Sequence, residues 1–150
     1  MSQTNALKAR GIVSDAGGHV VGRTRLQKIA YLLTAAGLES GLRFVYKHYG
    51  PYCEELAGAA REASLLGLLT ETEQQASWGG TYSIYSVTEP PDPTVSPARR
   101  RLASEAAVAD AIELELAATA VFLAKEGHPD PWNETARRKP EEPFAKRADA

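Results

Sequence analysis

Between residues 22 and 69 the spacing of apolar side chains changes from helical to alternating and back, and glycine marks each boundary. Thr24, Arg25, Leu26 and Gln27 fit a capping box, in which the Thr24 hydroxyl accepts from the Gln27 N–H and the Gln27 side chain reaches back. Leu26, Ile29, Ala30 and Leu33 follow at helical spacing and give one apolar face. Gly37 supplies the left-handed residue that ends such a helix cheaply. Phe44, Val45, Tyr46, Lys47, His48 and Tyr49 then alternate, and their aromatic and β-branched types suit a pleated strand. Gly50-Pro51 predicts a new helix with proline in its first turn, where the missing N–H costs nothing. Leu56, Ala59, Ala60, Ala63 and Leu66 form its expected buried stripe, closed by Gly67.

The flanks extend this pattern. Ala6, Leu7, Ile12 and Val13 predict a first helix over residues 5–16, ended by Gly17-Gly18, and residues 19–22 read as a connector. Residues 68–73 and 82–88 read as two strands, with Trp78-Gly79-Gly80 in the turn between them. The expected fold class is therefore mainly α with a small β-hairpin, a winged-helix-like core over residues 1–88 followed by a long C-terminal helix. Residues 89–97 hold four prolines and form a stiff linker. Ser96 is a good cap with Pro97 at the first helical position. Residues 98–127 predict the long helix, with Leu102, Ala109, Ile112, Leu116, Ala120 and Leu123 in one stripe, broadened by Val108 and Phe122. This helix packs on the core or on a second copy, which leaves a homodimer open. Residues 128–150 read as a polar tail with Trp132 as its anchor.

A length of 150 residues suits one domain with a real core. The net charge of -2 gives no global attraction to nucleic acid or to an anionic membrane. A single cysteine, Cys53, rules out an internal disulfide and a four-cysteine zinc site. The N-terminal residues lack the apolar run of a signal peptide, and no stretch approaches the roughly 20 apolar residues that cross a bilayer. The expectation is a soluble cytoplasmic protein without membrane contact.

Three pieces carry a resemblance. They are Leu26-Gln27-Lys28-Ile29-Ala30-Tyr31-Leu32-Leu33, Tyr49-Gly50-Pro51-Tyr52 with Glu55-Leu56, and Leu66-Gly67-Leu68-Leu69. In this order they resemble the bacterial YwgA-like family and, more distantly, the Panacea (SocA/GepA) antitoxin domain. The resemblance covers residues 22–69, with weaker echoes in the hairpin and at Arg138-Lys139-Pro140. Likeness to Panacea implies a compact helical interaction domain that neutralises toxins or serves as an adaptor. The chain departs from Panacea in the long helix after the linker and in its tail.

Catalytic chemistry finds little to stand on. His19, His48 and His128 are far apart, without the i,i+4 pairing of a metal helix. Phosphate-cradling and nucleophile-elbow motifs are absent. Cys53 near a helix start, with His48 five residues earlier, allows a nucleophile, but a small buried residue is the simpler reading. Glu54 and Glu55 suit a helix N-terminus and, being adjacent, do not face one another. The expectation is a non-enzyme with no cofactor, no metal and no catalytic residue.

Binding is the better-supported class. A winged helix reads DNA through its third helix, which here offers Glu54, Glu55 and small residues, with Arg61 as its one cation. A DNA-binding regulator would instead use the wing and the basic residues Arg23, Arg25, Lys28, Arg99, Arg100, Arg101, Arg137, Arg138 and Lys139. Arg99 to Arg101 oppose the dipole at their helix start, which points to a partner or to pairing with Glu105 or Glu141-Glu142. Most aromatics are expected in the core, with Tyr49, Tyr52 and Trp78 exposed. The favoured expectation is a winged-helix-like module that binds a protein partner through Tyr49, Tyr52, Trp78 and Arg61; the resemblance to Panacea alone implies an antitoxin or phage-defence setting.

Overall fold

The computed structural model describes residues 2–47 and 50–138. Within them lie six helices and two small antiparallel sheets, a mixed α/β chain in which helix predominates. In order these are α1 (Ser2–Asp15), β1 (His19–Val21), α2 (Arg23–Ala35), β2 (Val45–Lys47), β3 (Gly50–Tyr52) and α3 (Glu54–Leu65). Next come β4 (Thr70–Gln75), β5 (Thr81–Ser86), α4 (Pro97–Val108), α5 (Ala111–Lys125) and α6 (Pro131–Arg138). His48, Tyr49, Lys139 and the expected end of the polar tail lie outside the described residues.

α1 packs most extensively on α3, whose small Ala59, Ala60 and Ala63 are buried and allow close approach. α2 sits between α4, α5 and β3. Leu26, Ile29, Ala30 and Leu33 are buried together, as their helical spacing predicts. Leu66 is not: it stands exposed, while Leu68 packs against the core and donates its N–H to Ala63 O at 2.8 Å. This Schellman turn, with Gly67 at φ +76°, swings the chain so that Leu68, the third residue after the helix, faces inward.

Four local expectations are revised. The connector at 19–22 contains a strand, β1, which pairs with β5 and extends the hairpin to a three-stranded sheet in the order β1-β5-β4. Val20 then buries beside Tyr85. Gly50-Pro51 does not start a helix; it forms β3, paired with β2 so that Tyr46 opposes Pro51. Gly50 has φ +95°, and a Cβ there would meet Thr119 Oγ1 of α5 at 2.9 Å, so both its conformation and its closeness to α5 favour glycine.

The Thr24 capping box does not form. α2 begins two residues earlier, with Gly22 in the N-cap position and no side-chain cap, and Gln27 is directed elsewhere. Finally, the long helix over 98–127 is two helices. Ala109 is extended (φ -68°, ψ 153°), and Asp110 restarts the chain as an N-cap by accepting from Glu113 N–H at 3.2 Å. The break leaves the carbonyls of Ala106 and Ala109 facing Arg25, which donates to them at 2.8 and 2.7 Å. Consequently Val108, expected in the buried stripe, is 85% exposed.

Ser96 caps α4 as its sequence predicts, accepting from Ala98 and Arg99 N–H. Past the linker, α4 and α5 contribute Ala103, Ala106 and Leu114 to the same core as α1 to α3. No helix among the described residues is long and apolar enough to cross a membrane.

Candidate functional site

A cleft of about 390 Å³ lies between the first half of α2, the β2–β3 hairpin, α3 and the inner side of β4–β5. Its shape begins with Gln27. The Gln27 amide donates to Cys53 O at 2.8 Å and accepts from Cys53 N–H at 2.7 Å, and both residues are buried. One side chain thus fixes the start of α3 and the end of β3 against α2. Leu56, Ala57 and Ala60 of α3 and Pro51 of β3 supply apolar wall, and because the helix residues are small the cleft stays open.

Cations stand around that wall. Arg23, Lys28, Lys47 and Arg61 all line the cleft, with Glu71 the single acidic residue among its described lining. Arg23 makes long ion pairs with Glu71 (3.8 Å) and Glu73 (3.5 Å) and remains 63% exposed. Lys47 lies over the Tyr52 ring, 5.3 Å from its centroid, a cation–π contact. Lys28 is buried and engaged within the protein. Arg61 is exposed and forms no ion pair among the described residues. Its neighbours at helical distance, Ala57, Gly58, Ser64 and Leu65, carry no acid that could engage it. Tyr85 closes the sheet side; burial, and then the nearby Glu71 carboxylate, push its phenol pKa up. Glu71 itself is fixed by Ser83 Oγ at 2.7 Å.

Of the expected partner-binding residues, Tyr52 and Arg61 meet in this cleft, whereas Trp78 sits apart near the β4–β5 tip, 74% exposed and folded over Gly80. Tyr49 lies outside the described residues. The expected basic clusters are dispersed. Arg23 and Lys28 line the cleft, but Arg25 binds the α4 carbonyls, and burial lowers its pKa against the raising effect of Asp110.

Arg99 is enclosed. It donates to Asp15 at 2.6 Å, to Glu39 at 3.0 Å and to Leu38 O at 2.6 Å. Burial lowers its pKa, yet hydrogen bonds to Asp15 and Glu39 outweigh this and raise it overall. Among the described residues its partners are thus Asp15, Glu39 and Leu38 and not Glu105, while Glu141 and Glu142 lie outside the described residues. Arg100 turns back to the linker carbonyls, Val95 O at 3.2 Å among them, and Arg101 alone of the three points to solvent. Arg137 and Arg138 pair with Glu134 on α6, and Arg138 also covers the Tyr46 ring at 5.2 Å. Lys139 lies outside the described residues.

Trp132, expected as the tail's anchor, is 63% exposed. The tail's described part is held instead by the buried Thr135 and by Arg138 over Tyr46, which belongs to an aromatic cluster: Tyr31 meets Phe44 edge-on at 5.2 Å, and Phe122 touches both Tyr31 and Tyr46. Cys53 is fully buried with its sulfur 4.0 Å from Glu55. Among the described residues, no group of three or more His, Cys, Asp or Glu is placed to hold a metal ion. Lys47 and Gln27 are the residues that sequence reasoning missed. Lys47 looked like the polar half of an alternating strand, and Gln27 like the far end of a capping box.

Comparison with known proteins gives one likeness. The chain is 34% identical over 83 residues to the Bacillus subtilis (strain 168) protein named Uncharacterized protein YwgA, covering 55% of this chain and 48% of that protein. The likeness supports a YwgA-like family. The chain thus spans about half the length of the curated relative it matches. No protein-family model and no solved structure matches it.

Proposed function

We propose that this chain is a non-enzymatic, winged-helix-like interaction module that binds a protein partner at the α2/α3/hairpin cleft. The winged-helix reading rests on the order α1-β1-α2-α3-β4-β5 and on the pairing of β1 with β5. The β2–β3 hairpin is then an insertion between the second and third helices, and it is this insertion that walls the cleft. One observation carries the function: an apolar wall ringed by Tyr52, Lys47, Arg23 and Arg61, the last without an ion pair among the described residues. An apolar centre with an aromatic and arginine margin is the anatomy of a protein interface. The resemblance to Panacea supplies toxin neutralisation as the setting.

The alternative, a DNA-binding regulator, has less to stand on. Phosphate contacts dominate such affinity, and Arg25, Arg99 and Arg100 are engaged internally. Arg23, Arg101 and Arg137 remain exposed but occupy separate elements. The test compares the full chain with Ala57→Trp, which fills the cleft from an exposed helix position. Affinity capture from the native host should enrich a defined protein on the wild type and lose it on the variant. Equal recovery on both would remove the cleft from the function. Salt-dependent retention of duplex DNA, with no protein recovered, would favour the regulator.

A further inference from the structure

Resting on that reading, we infer that the cleft takes an acidic segment of its partner, with carboxylates on Arg61, Lys47 and Arg23 and an apolar side chain against Leu56 and Ala57. Charge is the first reason. The chain as a whole carries a net charge of -2, yet among the described lining of this one cleft three exposed cations, Arg23, Lys47 and Arg61, and the buried, internally engaged Lys28 stand against a single acidic residue, Glu71. The local field is therefore opposite in sign to that of the whole, and it favours anions where walls of low dielectric focus it.

Placement is the second reason. Arg23, Lys47 and Arg61 stand at the exposed rim, while the wall beneath is apolar. A compact small anion would need cations converging on one point. Rim charges around an apolar wall instead suit a chain that alternates carboxylates with apolar side chains. Among the described residues Arg61 has no carboxylate to displace, so a partner's carboxylate gains its attraction as a charge-assisted hydrogen bond.

A nucleic-acid strand fits the same cations less well. Glu54 shares the stripe of Arg61 two helical turns earlier, about 10 Å along the axis, and is exposed. Glu71 lies on the opposite wall. A phosphate chain running through the cleft would pass Glu71, and one continuing along α3 would meet Glu54, whereas a peptide can place a neutral or basic residue there.

The experiment is a display selection of random peptides on the full-length chain, followed by anisotropy titration of the enriched peptides. Enriched sequences should combine Glu or Asp with Leu, Ile, Phe or Trp. They should weaken at least about tenfold on Arg61→Glu and on Lys47→Glu, in line with the loss of a close charge pair. Exchanging glutamate for lysine in the peptide should restore binding to Arg61→Glu. Arg61 and Lys47 are exposed, so both variants fold, and a thermal melt verifies this. Basic or uncharged winners overturn the inference, as do acidic winners indifferent to Arg61→Glu. In those cases the module reading survives, because the wild type still binds peptide. Tighter binding of an oligothymidylate, sensitive to the same variants, would assign the cleft to nucleic acid and overturn both. Failure to bind any peptide, with no host protein captured, would also overturn both.

Discussion

Gln27 commits both ends of its amide to Cys53, and nothing else described reaches the Cys53 N–H. Truncation would leave that donor buried and unpaired, a loss of about 1–3 kcal/mol. Gln27→Ala should lower the unfolding free energy by about 2 kcal/mol in a urea titration, and the slackened α3 start should weaken any ligand of the cleft in parallel. Arg99 is a larger case. Its side chain is 15% exposed, and it neutralises Asp15 (4%) and Glu39 (9%) together. Arg99→Ala strands two buried carboxylates and should cost roughly 3–5 kcal/mol. Arg101→Ala, two residues further on but facing solvent, should change stability by less than about 0.5 kcal/mol by the same titration. A run of three arginines thus divides into a buried link, a linker clasp and one exposed charge, and neighbours in sequence do not share a role.

At the scale of elements, α3 carries the cleft and also its weakest helical residue. Gly58 is exposed in the middle of α3 with ordinary helical dihedrals, and a Cβ there would meet nothing within 4 Å. Gly58→Ala should therefore raise stability by about 0.5–1 kcal/mol, visible as an increased Tm. If affinity for a cleft ligand falls while stability rises, Gly58 serves the approach of the partner. The boundary between α4 and α5 is set differently. An alanine-rich stretch with Leu102, Ile112 and Leu116 at helical spacing gives no reason to stop at Ala109. Asp110 offers a cap, and Arg25 from α2 makes that cap the favoured choice by taking the carbonyls the break exposes. Similarly, β1 is three residues long and gains its ladder only because β5 lies beside it. Such short strands depend on their partners more than on propensity.

For the whole molecule, residues after the linker are part of one core and are not an appendage. Ala103, Ala106 and Leu114 bury against residues of α1 to α3, and α2 loses its cover from α4 and α5 if they are removed. A fragment ending at residue 88 should fail to give a cooperative thermal transition, whereas the full chain should melt as one unit. Tyr31 reports the same closure through pH. It is buried beneath Phe44 and Phe122, and burial, helped by the Glu126 carboxylate, pushes its pKa up to about 12. The folded protein then holds this proton where the unfolded chain, titrating near 10, has released it. Its contribution is present below pH 10 and is lost as pH rises toward 12. Tyr31→Phe should flatten the fall in stability across that interval, and ultraviolet titration should show one phenol fewer ionising late.

What the sequence by itself determined was local. The apolar stripe of α2, the Schellman glycines at 37 and 67, the Ser96 cap and the hairpin turn all follow from spacing and backbone preference within a few residues. Arg61 stood out in the sequence as the lone cation of its helix, and Tyr52, expected to be exposed, is half-buried at the edge of the cleft. The tertiary structure alone decided where polar side chains of long reach would go. Gln27, Arg25 and Arg99 each had a plausible local use, and each found partners at least 26 positions away. A buried hydrogen-bonding group must be satisfied by whatever folding brings beside it. That identity is a property of packing, and no window of neighbouring residues contains it. The cleft was hidden for the same reason: its cations come from α2, β2 and α3, and they share a site only once Gln27 has fixed the start of α3 against α2.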